Sequence, residues 1–188
     1  MRPKYRSYKC LVNQELSNCS FSIVPLRYED RLDILKWRNE QIYHLRQNKP
    51  LTVENQEKYF VTVVDALYDQ VQPNQILFSY LDNGKCIGYG GLVHINWVDK
   101  NAEISFIMDT ELEKDNFQKH WNIYLGLIEK VAFQELKLHK IFVYAFNLRP
   151  HLYATLEVAG YIEDARLKEH CLFDNKFIDV IIYSKFSK

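Results

Sequence analysis

The chain has 188 residues, which fits one domain with a buried core. Its 24 Lys and Arg balance 24 Asp and Glu, so no overall field favours nucleic acid or an anionic membrane as a partner. No run approaches the ~20 apolar residues of a membrane-spanning helix, and the basic start leads into no apolar signal-peptide segment. The four cysteines form no CxxC pair. We therefore expect free thiols, no metal and a cytoplasmic location.

The first part of the chain predicts a polar extension, one strand and two helices. Residues 1–20 are weakly patterned and predict an edge strand or a partly disordered segment. Phe21–Pro25 alternates as a strand does. Residues 30–39 carry a helical stripe, and Thr52 is a suitable N-cap for a second helix that ends before Pro73.

The middle of the chain predicts three strands. Residues 76–81 and 86–97 flank an Asp-Asn-Gly-Lys turn, where Asn-Gly favours the positive φ of a type I′ hairpin. A third strand covers residues 102–108. The second strand is unusual because it holds Gly88, Gly90 and Gly91. Clustered glycine in a strand predicts a bulge or the close approach of another group to the backbone.

The last part predicts a polar loop over residues 109–116 and a long amphipathic helix over residues 117–136. An apolar strand, Lys140–Phe146, is followed by a short helix from Pro150 to Gly160. Strands 161–170 and 177–184 close the chain. The order β-α-α-β-β-β-α-β-α-β-β predicts one α/β (α+β) domain over residues 21–188 with a mostly antiparallel sheet.

Several local sequences point to a known family. They are Gly88-Tyr89-Gly90-Gly91 followed by Ala102-Glu103-Ile104-Ser105-Phe106, the run from Ala132 to Ile141, Leu156-Glu157-Val158-Ala159-Gly160-Tyr161, and Trp37-Arg38-Asn39. With the element order, they resemble the GNAT (GCN5-related N-acetyltransferase) superfamily and its ribosomal-protein acetyltransferase subgroup over roughly residues 21 to 185. The resemblance implies a mixed sheet whose central strands splay apart, flanked by helices, and a use of acetyl-CoA as co-substrate.

The resemblance also implies where acetyl-CoA binds. In the family the pantetheine arm pairs with a splayed strand, here Phe106, Ile107 and Met108, and the pyrophosphate lies on amides that begin the long helix. The family's glycine-containing phosphate loop aligns with Asn116-Phe117-Gln118-Lys119-His120-Trp121, and Lys119 and Trp121 replace both glycines. Two interpretations stay open: Lys119 and His120 supply charge in place of amide contacts, or the site no longer binds the cofactor.

Two more positions depart from the family pattern. The family often has Asn eleven residues before the glycine of its Gly-Phe pair, where this chain has Arg149, with Asn147 nearby but out of register. Arg149 suits a cofactor phosphate or a surface ion pair equally. The tyrosine that protonates the departing thiolate in many relatives is Leu156 here. Tyr153, one turn earlier, is its candidate replacement, and core packing is the alternative.

Amine acetylation needs a positioned amine and a route for its proton. Glu103 is the first candidate base, because the resemblance implies a glutamate facing the acceptor; a solvent-facing carboxylate is the alternative. His94, between two apolar residues, is a second candidate base or a packing residue. Candidate acceptor walls are Trp37, Arg38, Tyr89 and Trp97. An anionic acceptor such as a nucleotide sugar would suit Arg38, Arg46 and Gln47.

The expected function is transfer of an acetyl group from acetyl-CoA to a primary amine of a small molecule or an amino sugar, including a nucleotide-linked one. No covalent triad or phosphate-binding P-loop is present in the sequence, so direct transfer in a ternary complex is expected. Two alternatives stay open: acetylation of a protein N-terminus, and a non-catalytic CoA-binding or interaction protein with a degenerate site. The sequence leaves the oligomeric state open, and a homodimer is one alternative.

Overall fold

The computed structural model of the chain describes residues 6–45 and 47–188, so the anion contact considered for Arg46 lies outside the described residues. One eight-stranded sheet has the order β1-β2-β3-β4-β5-β6-β8-β7. The strands are β1 (Leu16–Asn18), β2 (Phe21–Pro25), β3 (Ile76–Asp82), β4 (Lys85–Asn96), β5 (Asn101–Met108), β6 (Lys140–Phe146), β7 (Ile162–Phe173) and β8 (Lys176–Phe186). Among these described strands, only β5 and β6 pair in parallel. The mostly antiparallel sheet predicted from the sequence is confirmed.

The helices flank this sheet. They are α1 (Arg31–Glu40), α2 (Val53–Tyr59), α3 (Asp65–Leu67), α4 (Thr110–Glu129) and α5 (Pro150–Val158). A π-helical turn, Phe60–Val64, joins α2 to α3, and another, Lys130–Glu135, extends α4. The predicted N-cap Thr52 is confirmed, because its side chain accepts from the Asn55 N–H in a reciprocal capping box. Within the described residues no helix is long and apolar enough to cross a membrane.

The described part of the N-terminal extension packs on the core. Strand β1 pairs with β2 at the edge of the sheet. Tyr8 is 1% exposed. Its hydroxyl donates to the Leu77 carbonyl at 2.8 Å and accepts from the Leu77 N–H at 3.0 Å. These residues therefore contribute buried contacts to the sheet, while the division of the chain at residue 20 stays a prediction.

The glycines of β4 lie where neighbouring strands come close. A Cβ atom at Gly90 would lie 2.1 Å from the Ser105 carbonyl oxygen on β5, and one at Gly91 would lie 1.9 Å from the Ile76 carbonyl oxygen on β3. The predicted close approach is confirmed, and the approaching groups are backbone atoms of the adjacent strands. A bulge also interrupts the β4–β5 register between Val93 and Asn96.

Strands β5 and β6 separate along their length. Residues 101–103 of β5 pair with residues 140–142 of β6, and the two strands have no further pairing. Helix α4 connects them and packs an aromatic face on β5, where the rings of Phe106 and Tyr124 stack with centroids 3.8 Å apart. The splayed central strands expected from the family resemblance are therefore present.

The polar loop predicted over residues 109–116 is wrong, because α4 begins at Thr110. Asp109 is its N-cap, and its carboxylate accepts from the Glu111 N–H at 2.9 Å. Glu111 and Glu113 in the first turn complement the positive end of the helix dipole. The polarity of this stretch thus reflects a capped helix start. The helix changes direction at Asn116, whose φ of −128° and ψ of 20° are not helical.

Candidate active site

A cavity of about 290 Å³, here called the splay cleft, opens between β5 and β6. One wall is β5 from Glu103 to Ile107, and the other is β6 from Val143 to Phe146. The remaining lining comes from residues on other elements: Arg38, His44, Leu45, Val93, His94, Trp121, Arg149 and Leu152. Since the strands no longer pair here, their facing edges border the cleft. Such edges accept an extended group by backbone hydrogen bonding.

Glu103 lies at the inner end of the splay cleft. It is the last residue of β5 that pairs with β6, opposite Phe142. Its side chain is 12% exposed, and its Oε2 lies 3.9 Å from Nε2 of His94, whose side chain is 68% exposed. His94 occupies the β4 bulge with a φ of 51°. The two candidate bases are therefore brought together, with Glu103 in the cavity and His94 at its rim.

Three side chains converge at the outer end of the cleft. The guanidinium of Arg149 lies 3.1 Å from Oε1 of Glu113 and 3.3 Å from Nε2 of His44. Burial and the charge of Arg149 lower the pKa of His44 to about 3, so the neutral imidazole accepts from Arg149. Burial raises the pKa of Glu113, and Arg149 opposes that shift. Arg149 thus forms an ion pair that borders the cleft.

Sequence reasoning missed Glu113 and His44. They lie 36 and 105 residues from Arg149, and no local pattern connects positions that far apart. The acidic first turn of α4 was the one available indication for Glu113, because acids there mark a helix start.

The residues aligned with the phosphate loop point in different directions, since they form part of α4. Trp121 lines the splay cleft, and Phe117 and Gln118 face a second cavity. Lys119 instead lies over the Phe21 ring, 5.5 Å from its centroid. His120 is 4% exposed, and its Nδ1 lies 3.2 Å from the Tyr80 hydroxyl. Lys119 and His120 therefore pack toward β2 and β3, away from the splay cleft, and their contact with a cofactor phosphate stays a prediction.

The second cavity, here called the outer pocket, has a volume of about 600 Å³ and lies between α1, α4 and α5. Its charged or titratable lining residues are Glu40, Glu113, Lys114, Tyr43 and His151. Asn116 lies at the bend of α4 and is not among its lining residues. The carboxylates Glu40 and Glu113, with the Asp109 cap, make the start of α4 an unusually acidic surface for a phosphate site.

The remaining cofactor candidates have defined partners. Tyr153 donates to the Phe146 carbonyl at 3.1 Å and stacks on Tyr183, with ring centroids 5.5 Å apart. Burial raises the pKa of Tyr153. The backbone N–H of Asn147 donates to the Asp179 carbonyl at 3.0 Å. Neither residue lines the splay cleft. Phe106 and Ile107 do line it, whereas Met108 lies beyond it with its carbonyl bonded to Gln41 at 2.8 Å.

The four acceptor candidates divide into two pairs. Trp37 is 3% exposed in the core, and the Trp97 indole donates to the Pro73 carbonyl at 2.8 Å. Neither borders a cavity described here. Arg38 and Tyr89 line a third cavity of about 400 Å³, here called the helix pocket. Its other lining residues are Leu26, Ile34, Leu51, Asn55, Gln56, Tyr59, Phe60, Gln75, Leu77, Val93 and Ser105.

The described residues contain no group of three or more His, Cys, Asp or Glu side chains that could hold a metal ion.

Comparison with known proteins agrees with this architecture. A family model described as an acetyltransferase (GNAT) domain matches residues 23–182. A spermidine N-acetyltransferase from Vibrio cholerae, solved with CoA and spermine, is 20% identical with a TM-score of 0.76, over 90% of this chain and 97% of that one. A dodecameric form of the enzyme from that organism is 22% identical with a TM-score of 0.70, over 90% and 95%. At these identities the structural likeness establishes the fold.

Proposed function

The chain belongs to the GNAT acetyltransferase family, and from this premise we propose that it moves an acetyl group from acetyl-CoA to a primary amine of a small molecule within a ternary complex. The observation that carries the proposal is the position of Glu103. This carboxylate lies where β5 and β6 part, inside a cleft bordered by strand edges that have no strand partner there. The ribosomal-protein-like subgroup stays a prediction.

The splay cleft fits the narrow part of the cofactor. Phe106 and Ile107 on one side and residues 143–145 on the other border the space between the parted strands, where an extended group could pair with their backbone. The bound cofactor would supply a thioester carbonyl and a thiolate leaving group. Arg149 is the cation nearest the outer end of the cleft, and it would hold a phosphate by exchanging its carboxylate partner Glu113. Phe117 and Gln118 would line the path beyond it.

Glu103 is proposed to take the proton that the acceptor nitrogen loses. Its side chain is enclosed in the cleft, whereas His94 beside it is open to solvent. A proton on the carboxylate therefore has an exit at the rim through His94 or water. Positioning of the amine supplies the other part of the rate.

We assign Tyr153 a positioning role. Its hydroxyl is bonded to the carbonyl of Phe146, the last residue of β6, and so fixes the end of that strand. A dedicated acid is not required, because a thiol ionises with a pKa of about 8.5 and its thiolate leaves readily.

A non-catalytic CoA-binding protein is the second candidate, and one observation favours it. The start of α4 already carries its own anions, since Asp109 caps the Glu111 amide and Glu113 pairs with Arg149. A cofactor phosphate competes with both. This arrangement predicts weak binding of acetyl-CoA even when transfer occurs.

The acceptor class follows from the family and the structural neighbours. Those neighbours are described as acting on spermidine or spermine, which supports a small-molecule amine; an amino sugar is a narrower form of the same proposal. A protein N-terminus is the competing acceptor. Self-association is also proposed, as a homodimer or, by analogy with the dodecameric neighbour, a larger oligomer. Light scattering would give the number of copies.

Two measurements test the function. Calorimetry with acetyl-CoA tests binding, and release of free CoA across a panel of primary amines tests transfer. We expect both, with Glu103→Gln lowering kcat by about a hundredfold, since a positioned base contributes on the order of 10²–10⁴. Glu54→Gln, which neutralises an exposed carboxylate at the start of α2, should leave kcat unchanged.

The possible outcomes separate the candidates. Binding without CoA release from any amine would favour the non-catalytic protein. An unchanged kcat in Glu103→Gln would remove the base assignment but keep the transferase. A shift of acetyl transfer to peptide N-termini alone would replace the small-molecule acceptor.

A further inference from the structure

We propose that the acceptor is a primary amine that also carries an anionic group, a carboxylate or a phosphate, and that Arg38 binds that group. The inference rests on the proposed acetyl transfer and names the substrate class of the same site. It sets this chain apart from neighbours described with polyamines, whose charge is entirely positive.

Arg38 lies where two cavities meet. It lines both the splay cleft and the helix pocket, as do Val93 and Ser105. Ser105 is two residues from Glu103 on β5, so both side chains leave the same face of the strand about 7 Å apart. An acceptor that places its amine at Glu103 and extends along this face of β5 past Ser105 therefore enters the space that Arg38 borders.

The guanidinium of Arg38 is held by neutral groups. Nε and Nη2 donate to Oε1 of Gln47 at 3.1 and 2.9 Å, and Nη1 donates to the Tyr89 hydroxyl at 2.6 Å. Arginine has five N–H donors. The three described bonds leave one donor on each of Nη1 and Nη2. These two donors remain for the oxygens of a carboxylate or a phosphate, which are the acceptors that a guanidinium binds best.

Arg38 supplies the charge of the helix pocket. Among the described residues that line this pocket, the others are all uncharged. Within residues 6–45 and 47–188 Arg38 forms no ion pair, in contrast to Arg27, Arg31 and Arg149, which all pair with carboxylates. A half-buried cation without a counter-ion is costly unless a ligand supplies one. An anionic acceptor supplies that charge.

The same charges disfavour a polycation. In the splay cleft Arg149 is already paired with Glu113, so among the described residues Arg38 is the arginine of this cleft that has no carboxylate partner. A polyamine would bring at least one further positive charge beside Arg38, and like charges at close range select against a ligand. The remaining walls of the helix pocket offer neutral polar groups such as Gln75 and Tyr59, which suit the hydroxyl or amide groups of a small polar acceptor.

Matched pairs of amines test the proposal. The pairs are phosphoethanolamine with ethanolamine, glucosamine 6-phosphate with glucosamine, and β-alanine with propylamine; spermidine is the polycationic probe. We expect kcat/KM of the full chain for the anionic member of at least one pair to exceed that of its neutral partner by about ten- to a hundredfold, as a charge-assisted contact implies. The phosphate and carboxylate pairs show which anion the site takes.

Variants then assign the preference to Arg38. Arg38→Gln should lower kcat/KM for the anionic member of a pair far more than for its neutral partner and so abolish the anion preference, and Arg38→Lys should retain part of the preference because it keeps the charge but loses the planar guanidinium. Lys36→Gln removes an exposed charge two residues away on the same helix and is the control. Thermal unfolding of each variant shows that it is folded.

Each outcome decides a separate question. A purely structural role of Arg38 would lower kcat/KM equally for both members of a pair, and that result overturns the proposal, as does a wild-type preference for spermidine. Thermal shifts with the same amines do not depend on turnover. If no amine releases CoA, the proposed function fails. Thermal stabilisation by an anionic amine that is lost in Arg38→Gln would still support the anion site. Equal thermal shifts with the anionic and the neutral member of every pair would overturn it.

Discussion

The residues at the outer end of the splay cleft fix one another's charge states. Arg149 lies between a carboxylate, Glu113, and a neutral imidazole, His44. Burial, and secondly the permanent charge of the Arg149 guanidinium, lower the pKa of His44 and hold its imidazole in the neutral form. What can change in this cluster is therefore the anion that Arg149 binds. A phosphate is an anion of the kind that could replace the Glu113 carboxylate as its partner.

Acid sensitivity follows from His44. Its pKa is about 3 in the folded chain and about 6.5 when unfolded. Between these values the unfolded state binds more protons, so stability falls as pH falls through this window, by up to about 1.4 kcal/mol per pH unit from this residue. Urea unfolding at pH 7 and pH 4.5 should show a smaller loss for His44→Gln than for the unchanged chain.

The control for this prediction is His139→Gln, which removes an exposed imidazole. Equal losses of unfolding free energy between pH 7 and pH 4.5 in the unchanged chain and in His44→Gln would contradict a neutral buried imidazole.

At this scale the sequence supported some assignments and not others. The family resemblance put Glu103 on a central strand, and its enclosed position in the cleft is compatible with the role predicted for it. The resemblance could not show that Lys119 and His120 turn toward β2, because one residue of helix rotates a side chain by about 100°. Ion pairs such as Arg149–Glu113 depend on tertiary contacts that local sequence does not encode.

At the scale of elements, the glycines of β4 allow the backbones of β3 and β5 to lie unusually close to it. Its glycines remove side chains where carbonyl oxygens of β3 and β5 come near. Helix α4 packs over the same place, since the Tyr124 hydroxyl would lie 2.6 Å from a Cβ atom at Gly90. The position of β4 against β3 and β5 is therefore fixed by close backbone contacts and by the helix packed over them.

Gly90→Ala should be strongly destabilising. The added Cβ would lie 2.1 Å from the Ser105 carbonyl oxygen, a backbone atom that cannot move without shifting β5. We expect a loss of about 2–4 kcal/mol in the free energy of unfolding, in the range of overpacked or strained core sites, measured by urea denaturation.

Gly126→Ala is the matched control for this change. Gly126 lies within α4, and a Cβ there meets nothing within 4 Å. Alanine should stabilise the helix by about 0.5–1 kcal/mol. Opposite signs for the two substitutions are expected, and a loss at Gly90 below about 0.5 kcal/mol would contradict the close packing of β4 on β5.

Element boundaries were predictable where turn residues mark them. Thr52, Asn83-Gly84, Pro150 and Gly160 all delimit elements as expected. The start of α4 was missed because its first turn is polar and lacks the apolar spacing that identifies a helix. Asp109 followed by acidic residues was the correct indication, and capping outweighs the missing stripe here.

At the scale of the whole molecule, the sheet consists of two antiparallel parts joined through a short parallel contact. Strands β1–β5 form one part and β6–β8 the other. The sequence predicted the element order and the family resemblance implied the separation of the strands. The residue at which the strands part was not predictable, because it depends on the twist and packing of both parts against α4.

Tyr8 ties the N-terminal segment to this sheet. Its ring is enclosed beside Tyr68 and Phe78, and its hydroxyl bridges the N–H and carbonyl of Leu77. Tyr8→Ala should lower the free energy of unfolding by about 3–5 kcal/mol, as for other large buried side chains, and Tyr8→Phe by about 1–3 kcal/mol, because buried backbone groups lose a partner.

Val12→Ala provides the comparison on the same segment. Val12 is 88% exposed, so its truncation should change the free energy of unfolding by no more than about 0.5 kcal/mol. Similar small effects at Tyr8 and Val12 in chemical denaturation would show that the segment is not part of the cooperative fold.

The parting of β5 and β6 has a consequence for self-association. Unpaired strand edges usually recruit strands from other molecules, and exposed ones promote aggregation. Here two such edges face each other inside a cleft covered by residues of α4 and α5 such as Trp121 and Leu152. The side chains that cover the cleft therefore shield these two edges from edge-to-edge pairing with the sheet of another molecule.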